Sequence, residues 1–539
     1  MMSEPEWQEE SLVQAVDRLA ALLVAGEEPT EMSGVLQSLS ERFPPDCLYP
    51  MLQERFGTNR FDLYPLLGVG QAPKVIGNDI RTIAIYLDDP GVGGIQRVAC
   101  LEAKLLTNAG FKVVLIVPFG ADDLLFDLPP QVTVVTLGIR HRPAAEQLGV
   151  LIRELTEIVT SHSVDLVISH ANYRPLVFYV NLALGALAIP SLLTVHSFSL
   201  RSVFALTDLL YSLRTAGNAM SGLTVLSRVD QKFWQLSGVP NTFYLPNPID
   251  FTASDEFLAR HIEAAQPKVD VVWMGRFQED TKRVSEMVDI FALVVQQHPD
   301  AQLRIVTPSK PSDRVYEDVL AKIESRGLAA NVQIEPSPAN VYECFSSSRV
   351  VVNTSRIEGF GYTIAEPLQV KVPVVMYDLP YLELPKDNPG VISVPWGDRE
   401  AAASAIVSLL ENPDEARQRG QAGYDHLAAQ FSDQRWLRYF TEIISNITQN
   451  NRIEAPNANI QDDDFGEILV SQLALLLEDG LKRQAAEKQK YQDTIKELNR
   501  QLKASTRELS SYKKSRAYRL ASAYGSLVGQ LKVRNPNAA

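Results

Sequence analysis

Two glutamates stand eight residues apart in the segment VVVNTSRIEGFGYTIAEP, whose pattern predicts a strand, a glycine-bearing loop and a helix. Glu358 falls in the loop, and Glu366 falls one turn into a helix expected to begin near Tyr362. The N–H groups of Phe360, Gly361 and Tyr362 would form a helix start, which favours an anion. Because carboxylates accept hydrogen bonds from hydroxyls, the segment suits a ligand with both phosphate and sugar. The plain alternative is that Glu358 caps the helix and Glu366 is a surface residue.

Basic side chains follow the first strand of a predicted second sheet, in MGRFQEDTKRV. Arg276 follows the strand end, and Lys282 comes six residues later at the expected start of a helix. A guanidinium offers paired donors and an ammonium offers a point charge, so the two together suit a diphosphate. Arg283 is an alternative to Lys282 for this contact. Simple solvation of these exposed cations is the competing interpretation.

A glycine-rich loop, YLDDPGVGGIQRV, follows the first predicted strand of the chain. Gly93 and Gly94 permit close approach of the backbone to a ligand, and the helix expected from Ile95 presents unpaired N–H groups to phosphate or sugar oxygens. The loop lacks the GK[ST] of a Walker motif. Glycines that serve only the geometry of a tight turn are the alternative.

No metal site is expected. Asp88 and Asp89 stand beside the glycine loop without a partnering carboxylate or histidine cluster. Cys47, Cys100 and Cys344 are far apart, fit no metal-ligand spacing, and are interpreted as reduced, small apolar side chains. Fixed cations and a helix start would then meet the charge of a diphosphate, with no cofactor besides the donor substrate.

The elements that must position these residues alternate between strands and helices. Seven apolar runs between residues 82 and 247, and six more between residues 269 and 396, read as strands with helices between them. Continuously apolar strands of this kind predict parallel sheets covered on both faces. Such sheets bind ligands at the carboxyl ends of their strands, where all three loops lie. The predicted fold class is α/β, with two doubly wound units in tandem.

The two ends of the chain differ from this pattern. Residues 1–78 read as a helical segment, either a docking element or a cap on the next domain, and 451–466 read as a polar linker. In 467–539, apolar residues from Tyr491 to Tyr512 recur at alternating spacings of four and three, which predicts a coiled coil. A single amphipathic helix packed on the body is the alternative. The coiled coil would give a homo-oligomer or dock a partner.

Composition narrows the function classes. The 45% hydrophobic and 22% charged content is that of a globular chain, and the net charge of −14 argues against a nucleic-acid binder. Residues 501–539 nevertheless carry 8 basic and 1 acidic side chains, which would suit contact with an anionic surface. The start is acidic, unlike a signal peptide. The expected location is the cytoplasm, with peripheral contact to the inner face of the membrane as an option.

The motifs together resemble a known family. EGFGYTIAE resembles the E-x7-E motif of retaining GT-B glycosyltransferases, the "glycosyl transferases group 1" or glycosyltransferase family 4. GVGGIQRV is similar to the family's N-domain glycine loop, LLTVHSFS to its donor-site histidine segment, and MGRFQEDTKR to its GR…K element. TVLSRVD, YLPNPID and VPVVMYDLPYLE resemble further segments, in the family's order, across about 80–450.

This resemblance implies two facing Rossmann-like domains, with 79–250 holding the acceptor and 251–450 the nucleotide sugar, and a last helix that crosses back. It implies metal-independent transfer of a hexose or N-acetylhexosamine from a UDP-, GDP- or ADP-sugar, with retention of configuration. The acceptor would be a glycan, a lipid-linked molecule or a protein. Alternatives are a nucleotide-sugar epimerase on the same fold, or a non-catalytic scaffold that acts through its helical ends.

The same resemblance assigns roles to single residues. Glu358 would contact hydroxyls of the transferred sugar, and Glu366 would hold the ribose. From the second domain, the diphosphate would be neutralised by Arg276, by Lys282 or Arg283, and by the amides of Phe360 and Gly361. From the first domain, Gly93 and Gly94 would cover it. His196 would lie near the reacting sugar.

Some positions depart from the family pattern or stay open. The spacing from Arg276 to Lys282 is one residue longer than the common form. Tyr381 and Leu382 stand where many relatives carry glycine. His170 either lines the acceptor side or is a buried polar residue at a strand end.

Overall fold

A computed structural model describes residues 80–88, 93–118, 128–138, 145–171, 189–201, 220–260, 269–310, 313–338 and 340–448, with scattered positions elsewhere. The chain forms two compact units, Met1–Phe465 and Gly466–Ala539. Residues 467–472 of the second unit are helical. Apart from single positions, the helical segment expected in 1–78, the linker at 451–466 and the coiled coil at 491–512 lie outside the described residues.

The first sheet has seven parallel strands in the order β3-β2-β1-β4-β5-β6-β7. Its strands are β1 Thr82–Leu87, β2 Lys112–Val117, β3 Thr133–Thr136, β4 Leu166–Ala171, β5 Ser191–Val195, β6 Gly222–Val225 and β7 Thr242–Tyr244. Among the described residues, the helices with defined bounds in this part are α1 Gly94–Asn108, α2 Ala145–His162 and α3 Arg228–Leu236. Between β4 and β5, five positions of 176–187 are described, and all five are helical.

The second sheet has six parallel strands in the order β10-β9-β8-β11-β12-β13. They are β8 Val269–Met274, β9 Leu303–Thr307, β10 Val332–Pro336, β11 Ser348–Asn353, β12 Val374–Tyr377 and β13 Val391–Val394. The helices of this part are α4 Phe251–Arg260, α5 Val284–Gln297, α6 Arg314–Ser325, α7 Val341–Ser346, α8 Tyr362–Gln369, α9 Arg399–Glu411 and α10 Pro413–Gln430.

The last described helix of the first unit, α11 Asp433–Thr448, packs on the first sheet rather than the second. Trp436, Phe440 and Ile443 are buried in the core that β1, β2 and α1 form. The indole N–H of Trp436 donates to the carbonyl oxygen of Pro246 at 2.9 Å. The chain therefore returns to its first sheet after completing the second.

The predicted α/β class with two doubly wound sheets is confirmed. All six positions of β1 are buried, because helices cover both faces of the sheet. The strand order reverses between β1 and β4 in the first sheet and between β8 and β11 in the second. Ligands of doubly wound sheets bind at this reversal, outside the carboxyl ends of the strands. Within the described residues, no helix is long and apolar enough to cross a bilayer.

Candidate active site

The loops after β8 and β11 meet at the reversal point of the second sheet. The Lys282 ammonium lies 2.6 Å from Glu358 Oε1, and Asn353 Nδ2 donates to the same oxygen at 3.2 Å. The hydroxyl of Thr354, just past β11, donates to the carbonyl oxygen of Lys282 at 2.8 Å. Two of the residues predicted from separate segments are thus held together.

Glu358 is a buried carboxylate whose neighbours favour its charge. Burial alone raises the pKa of Glu358, but the Lys282 ammonium and hydrogen bonds from Ser355 and Asn353 outweigh burial and lower it. Glu358 is therefore ionised at neutral pH. Its amide donates to the Tyr381 hydroxyl at 2.9 Å, which donates in turn to the Glu358 carbonyl oxygen at 3.2 Å. The loop is fixed by its backbone as well as by its side chain.

The helix that follows this loop begins as the sequence predicts, at Tyr362. Gly361 precedes it with φ of +92°, a left-handed conformation that suits glycine. The ring of Phe360 is buried against Tyr362 and Phe431. Gly361 at the N-cap has no side chain, and the carboxylate of Glu358 bonds to Lys282 and Asn353 rather than to this helix start, so the interpretation of Glu358 as a cap is wrong. The first N–H groups of a helix have no acceptor within it and are available to a ligand.

Glu366 faces the first sheet from α8. Its carboxylate forms an ion pair with the guanidinium of Arg97, which belongs to α1 and follows the glycine loop. Arg97 also donates to the Tyr342 hydroxyl at 3.3 Å and lies 5.2 Å from the ring centre of Tyr362. Burial raises the pKa of Glu366, and Arg97 opposes that shift. Glu366 is 5% exposed, so its interpretation as a surface residue is wrong.

His196 follows β5 and lies against the Glu358 loop. A Cβ at Gly359 would collide with the carbonyl oxygen of His196, so only glycine allows this approach between the two sheets. His196 Nε2 lies 2.8 Å from Nδ1 of His170, at the end of β4. Burial lowers the pKa of His196 well below its usual value, and His170 lowers it further. His196 is therefore a neutral imidazole at the place where the loop after β5 meets the Glu358 loop, which we call the crevice between the sheets.

The remaining predicted residues are placed as follows. Arg276 is exposed and forms no ion pair with any described residue. Gly93 precedes α1 and Gly94 is its first residue, while the preceding positions 89–92 are not described. Arg283 is the alternative to Lys282. It donates to Glu286 at 3.0 Å and lies 5.3 Å from the Trp396 ring centre, so Lys282 is the residue that reaches Glu358.

Sequence reasoning missed two contributors to the crevice. Arg97 stands one turn after the glycine pair, a position from which the sequence could have suggested a ligand-facing cation. Tyr381 had only the signal of replacing a common glycine. Its ring stacks on Phe198 of the first sheet at 3.6 Å between ring centres, with an interplanar angle of 3°. Across the described part of the chain, no cluster of three or more His, Cys, Asp or Glu side chains could hold a metal.

Comparison with known proteins identifies the family. Residues 92–253 match the model described as Glycosyltransferase Family 4, and residues 268–412 match Glycosyl transferases group 1. The two matches together span more than half of the chain and cover every strand of both sheets except β1. The chain belongs to the group 1 glycosyltransferases of family 4.

Two relatives of this glycosyltransferase match part of its length. The poly(ribitol-phosphate) alpha-N-acetylglucosaminyltransferase of Staphylococcus aureus is 24% identical over 166 residues, which are 30% of this chain and 33% of that protein. The poly(glycerol-phosphate) alpha-glucosyltransferase of Bacillus subtilis is 28% identical over 185 residues, 34% of this chain and 26% of that protein. The matches thus span a third or less of these relatives.

The fold is that of solved GT-B glycosyltransferases. S. aureus TarM, in a crystal structure with fondaparinux, alpha-GlcNAc-glycerol and UDP, superposes with a TM-score of 0.56 at 13% identity. The superposition covers 68% of this chain and 100% of TarM. The predicted family and the predicted GT-B fold are both confirmed.

Proposed function

We propose that this glycosyltransferase moves a hexose or N-acetylhexosamine from a nucleoside-diphosphate sugar to an acceptor hydroxyl, with retention of configuration. The observation that carries the proposal is the crevice in which the Lys282–Glu358 and Arg97–Glu366 pairs flank the helix start at Gly361. Two carboxylates and two cations beside unpaired amides form a set of groups for sugar hydroxyls and phosphates together.

The donor would lie along this set of groups. Glu358 accepts from hydroxyls of the transferred sugar, and Glu366 accepts from the ribose in place of one contact to Arg97. Lys282, Arg276 and the amides of Phe360 and Gly361 meet the diphosphate. Tyr362 continues that helix start, and Gly93 with Gly94 covers the diphosphate from the first sheet. The TarM complex with UDP supports uracil as the base of the donor.

In the proposed reaction, the bond between the anomeric carbon and the diphosphate breaks, and the acceptor oxygen bonds to that carbon on the same face. The acceptor proton passes to the departing phosphate oxygen. The charge left on the diphosphate is met by Lys282, Arg276 and the helix start, with no metal or other cofactor. Closure of the crevice would exclude water that hydrolyses the donor.

The acceptor in this proposal is a hydroxyl of a surface glycan or polyol-phosphate polymer. The names of the two matched relatives, which act on poly(ribitol-phosphate) and poly(glycerol-phosphate), support this class of acceptor. Lipid-linked and protein acceptors are the alternatives.

A thermal-shift and turnover screen tests this function. The full chain is incubated with UDP-, GDP- and ADP-sugars, with EDTA and with added Mg²⁺, and with each acceptor class. A productive donor at one hundred times its Kd stabilises the fold by about 2.7 kcal/mol. We expect a UDP-sugar to do so and to be transferred equally in EDTA. An isomerised donor without acceptor would indicate an epimerase, and no shift with any donor would indicate a scaffold.

We further propose that the C-terminal region 467–539 assembles the enzyme into an oligomer and contacts the inner face of the membrane. The heptad spacing and the 8 basic side chains of 501–539 support this. Light scattering of the full chain and of a variant ending at residue 455 is the test. An unchanged oligomeric state in the shorter chain contradicts the assembly, and equal sedimentation of both chains with anionic vesicles contradicts the membrane contact.

A further inference from the structure

Three titratable side chains form a line that ends at the crevice. Oε2 of Glu102, on α1, lies 3.1 Å from His170 Nε2, a close contact that is not aligned as a hydrogen bond. His170 Nδ1 lies 2.8 Å from His196 Nε2. Glu102 is 2% exposed and His170 is 0% exposed, while His196 is half-buried. The line therefore runs from the protein interior to the surface that faces the Glu358 loop.

The sheet topology brings the three residues together. β4 and β5 are neighbouring parallel strands in which His170 pairs with Thr194, so His196 emerges just beyond the end of β5. The planes of the two rings are inclined by 23°, with 5.0 Å between the ring centres. Glu102 reaches His170 from α1, whose buried face covers the same sheet.

The order of donors and acceptors along this line follows from the carboxylate. A carboxylate oxygen and a bare ring nitrogen would repel each other at 3.1 Å, so the proton beside Glu102 is placed on His170 Nε2. With one proton on each ring, His170 Nδ1 is then an acceptor and accepts from His196. His196 must accordingly carry its proton on Nε2. Its Nδ1 is then unprotonated, and no described residue bonds to it.

We propose that Glu102 and His170 are positioning residues that hold His196 in the Nε2-protonated tautomer, with Nδ1 presented to the crevice as a hydrogen-bond acceptor. The use of this acceptor rests on the proposed function: a hydroxyl of the transferred sugar would donate to Nδ1. The contact between the His196 carbonyl and Gly359 places that ring beside the Glu358 loop. A buried carboxylate that fixes a histidine tautomer through its second nitrogen is a known catalytic device.

Nitrogen-15 NMR of the histidine side chains tests the tautomer directly, in the full chain and without any donor. The chain has 7 histidines, and His196→Asn identifies the signals of His196. We expect a protonated Nε2 and an unprotonated Nδ1. A protonated Nδ1 overturns the proposal, whatever the variants do.

Glu102→Gln tests the origin of the tautomer, because an amide can donate as well as accept and so removes the bias. We expect His196 to become a mixture of tautomers. Asp289→Asn is the matched control: Asp289 is a buried carboxylate held by Lys322 and Arg326, each at 2.7 Å, on a helix of the second sheet. It should leave the His196 signals unchanged. Unchanged signals in folded Glu102→Gln overturn the assignment of Glu102.

Transfer kinetics then separate the inference from the proposed function. Once a donor is known, Glu102→Gln should lower kcat about 10- to 100-fold with little change in KM, the scale found for partners that orient a functional histidine. An unchanged kcat would contradict a role for the line in the reaction. If no donor is turned over, the proposed function fails while the NMR result still decides the tautomer.

Discussion

At the scale of single residues, the crevice depends on charges that are buried in pairs. Lys282 and Glu358 are 2.6 Å apart with side chains 22% and 8% exposed. A second pair of nearly the same geometry, Lys322 and Asp289, lies at 2.7 Å with 26% and 6% exposure. Only the first pair faces the helix start at Gly361, so the two allow a structural effect to be separated from a functional one.

Lys282→Met should remove a cation from the proposed diphosphate position and leave Glu358 buried without its strongest partner. We expect kcat for transfer to fall about 10²- to 10³-fold, the scale for one preorganised charge. The free energy of unfolding should drop by about 1–3 kcal/mol, because a partly exposed pair is screened by solvent. Lys322→Met should lose less stability, because Arg326 still holds Asp289 at 2.7 Å, and should keep its transfer rate. Equal kcat in both variants would exclude Lys282 from the reaction.

At the scale of elements, the loop after β5 is held by a carboxylate on α3. Asp230 accepts from the Ser199 amide at 2.9 Å, beside the Phe198 ring that stacks on Tyr381. Burial raises the pKa of Asp230 from 3.8 to about 6, although hydrogen bonds from Ser199 and Ser227 lower it. The Asp230 carboxyl that joins α3 to this loop therefore gains or loses its proton near pH 6.

The raised pKa of Asp230 predicts a pH dependence of stability. Between pH 3.8 and about 6 the folded state keeps the proton that the unfolded chain has released. The stability that this proton on Asp230 contributes is thus complete below the unfolded pKa. It is lost as pH rises through the folded pKa, by about 3 kcal/mol. Urea unfolding of the wild type and Asp230→Asn at pH 4 and pH 7 measures it. The difference in the free energy of unfolding between the two proteins should change by about 2–3 kcal/mol from pH 4 to pH 7. A constant difference would contradict the raised pKa.

The helices α1 and α8 meet through the Arg97–Glu366 ion pair. Arg97→Gln should weaken the contact between the two sheets and lower the free energy of unfolding by about 2 kcal/mol. We expect the radius of gyration from X-ray scattering to rise in the ligand-free protein. Arg326→Gln removes a guanidinium from buried Asp289 within the second sheet and should leave the radius unchanged. The same radius in both variants would show that other contacts hold the sheets together.

At the scale of the whole molecule, the sequence predicts the sheets better than it predicts the site. Apolar runs gave the correct seven and six strands, because strands covered on both faces must be continuously apolar. Contacts between residues far apart in the chain carry no such pattern. Arg97 pairs with Glu366 across 269 positions, and Tyr381 replaces a common glycine yet bonds to Glu358. The choice of Lys282 over Arg283 likewise depends on the local backbone, since Arg283 has φ of +53°.

The approach of the two sheets depends on one position without a side chain. Because a Cβ at Gly359 would meet the backbone oxygen of His196, which cannot rotate away, Gly359→Ala should keep the crevice from closing. Most proposed donor contacts lie on the second sheet, so the Kd for UDP should change by less than about threefold. Transfer requires both sheets, so we expect kcat of Gly359→Ala to fall. A misplacement of the reacting atoms by about 1 Å lowers the rate about 10²-fold.

The matched control for this closure is Gly138→Ala, whose Cβ would meet only the movable tip of Glu154 at 3.1 Å. It should preserve both UDP binding and kcat. Calorimetry with UDP and steady-state transfer assays on the two variants distinguish the cases. If Gly359→Ala transferred sugar at the wild-type rate, the reacting atoms could not lie where the two sheets meet. If it lost UDP binding as well, the contacts from the first sheet at Gly93 and Gly94 would have to dominate the binding of the nucleotide.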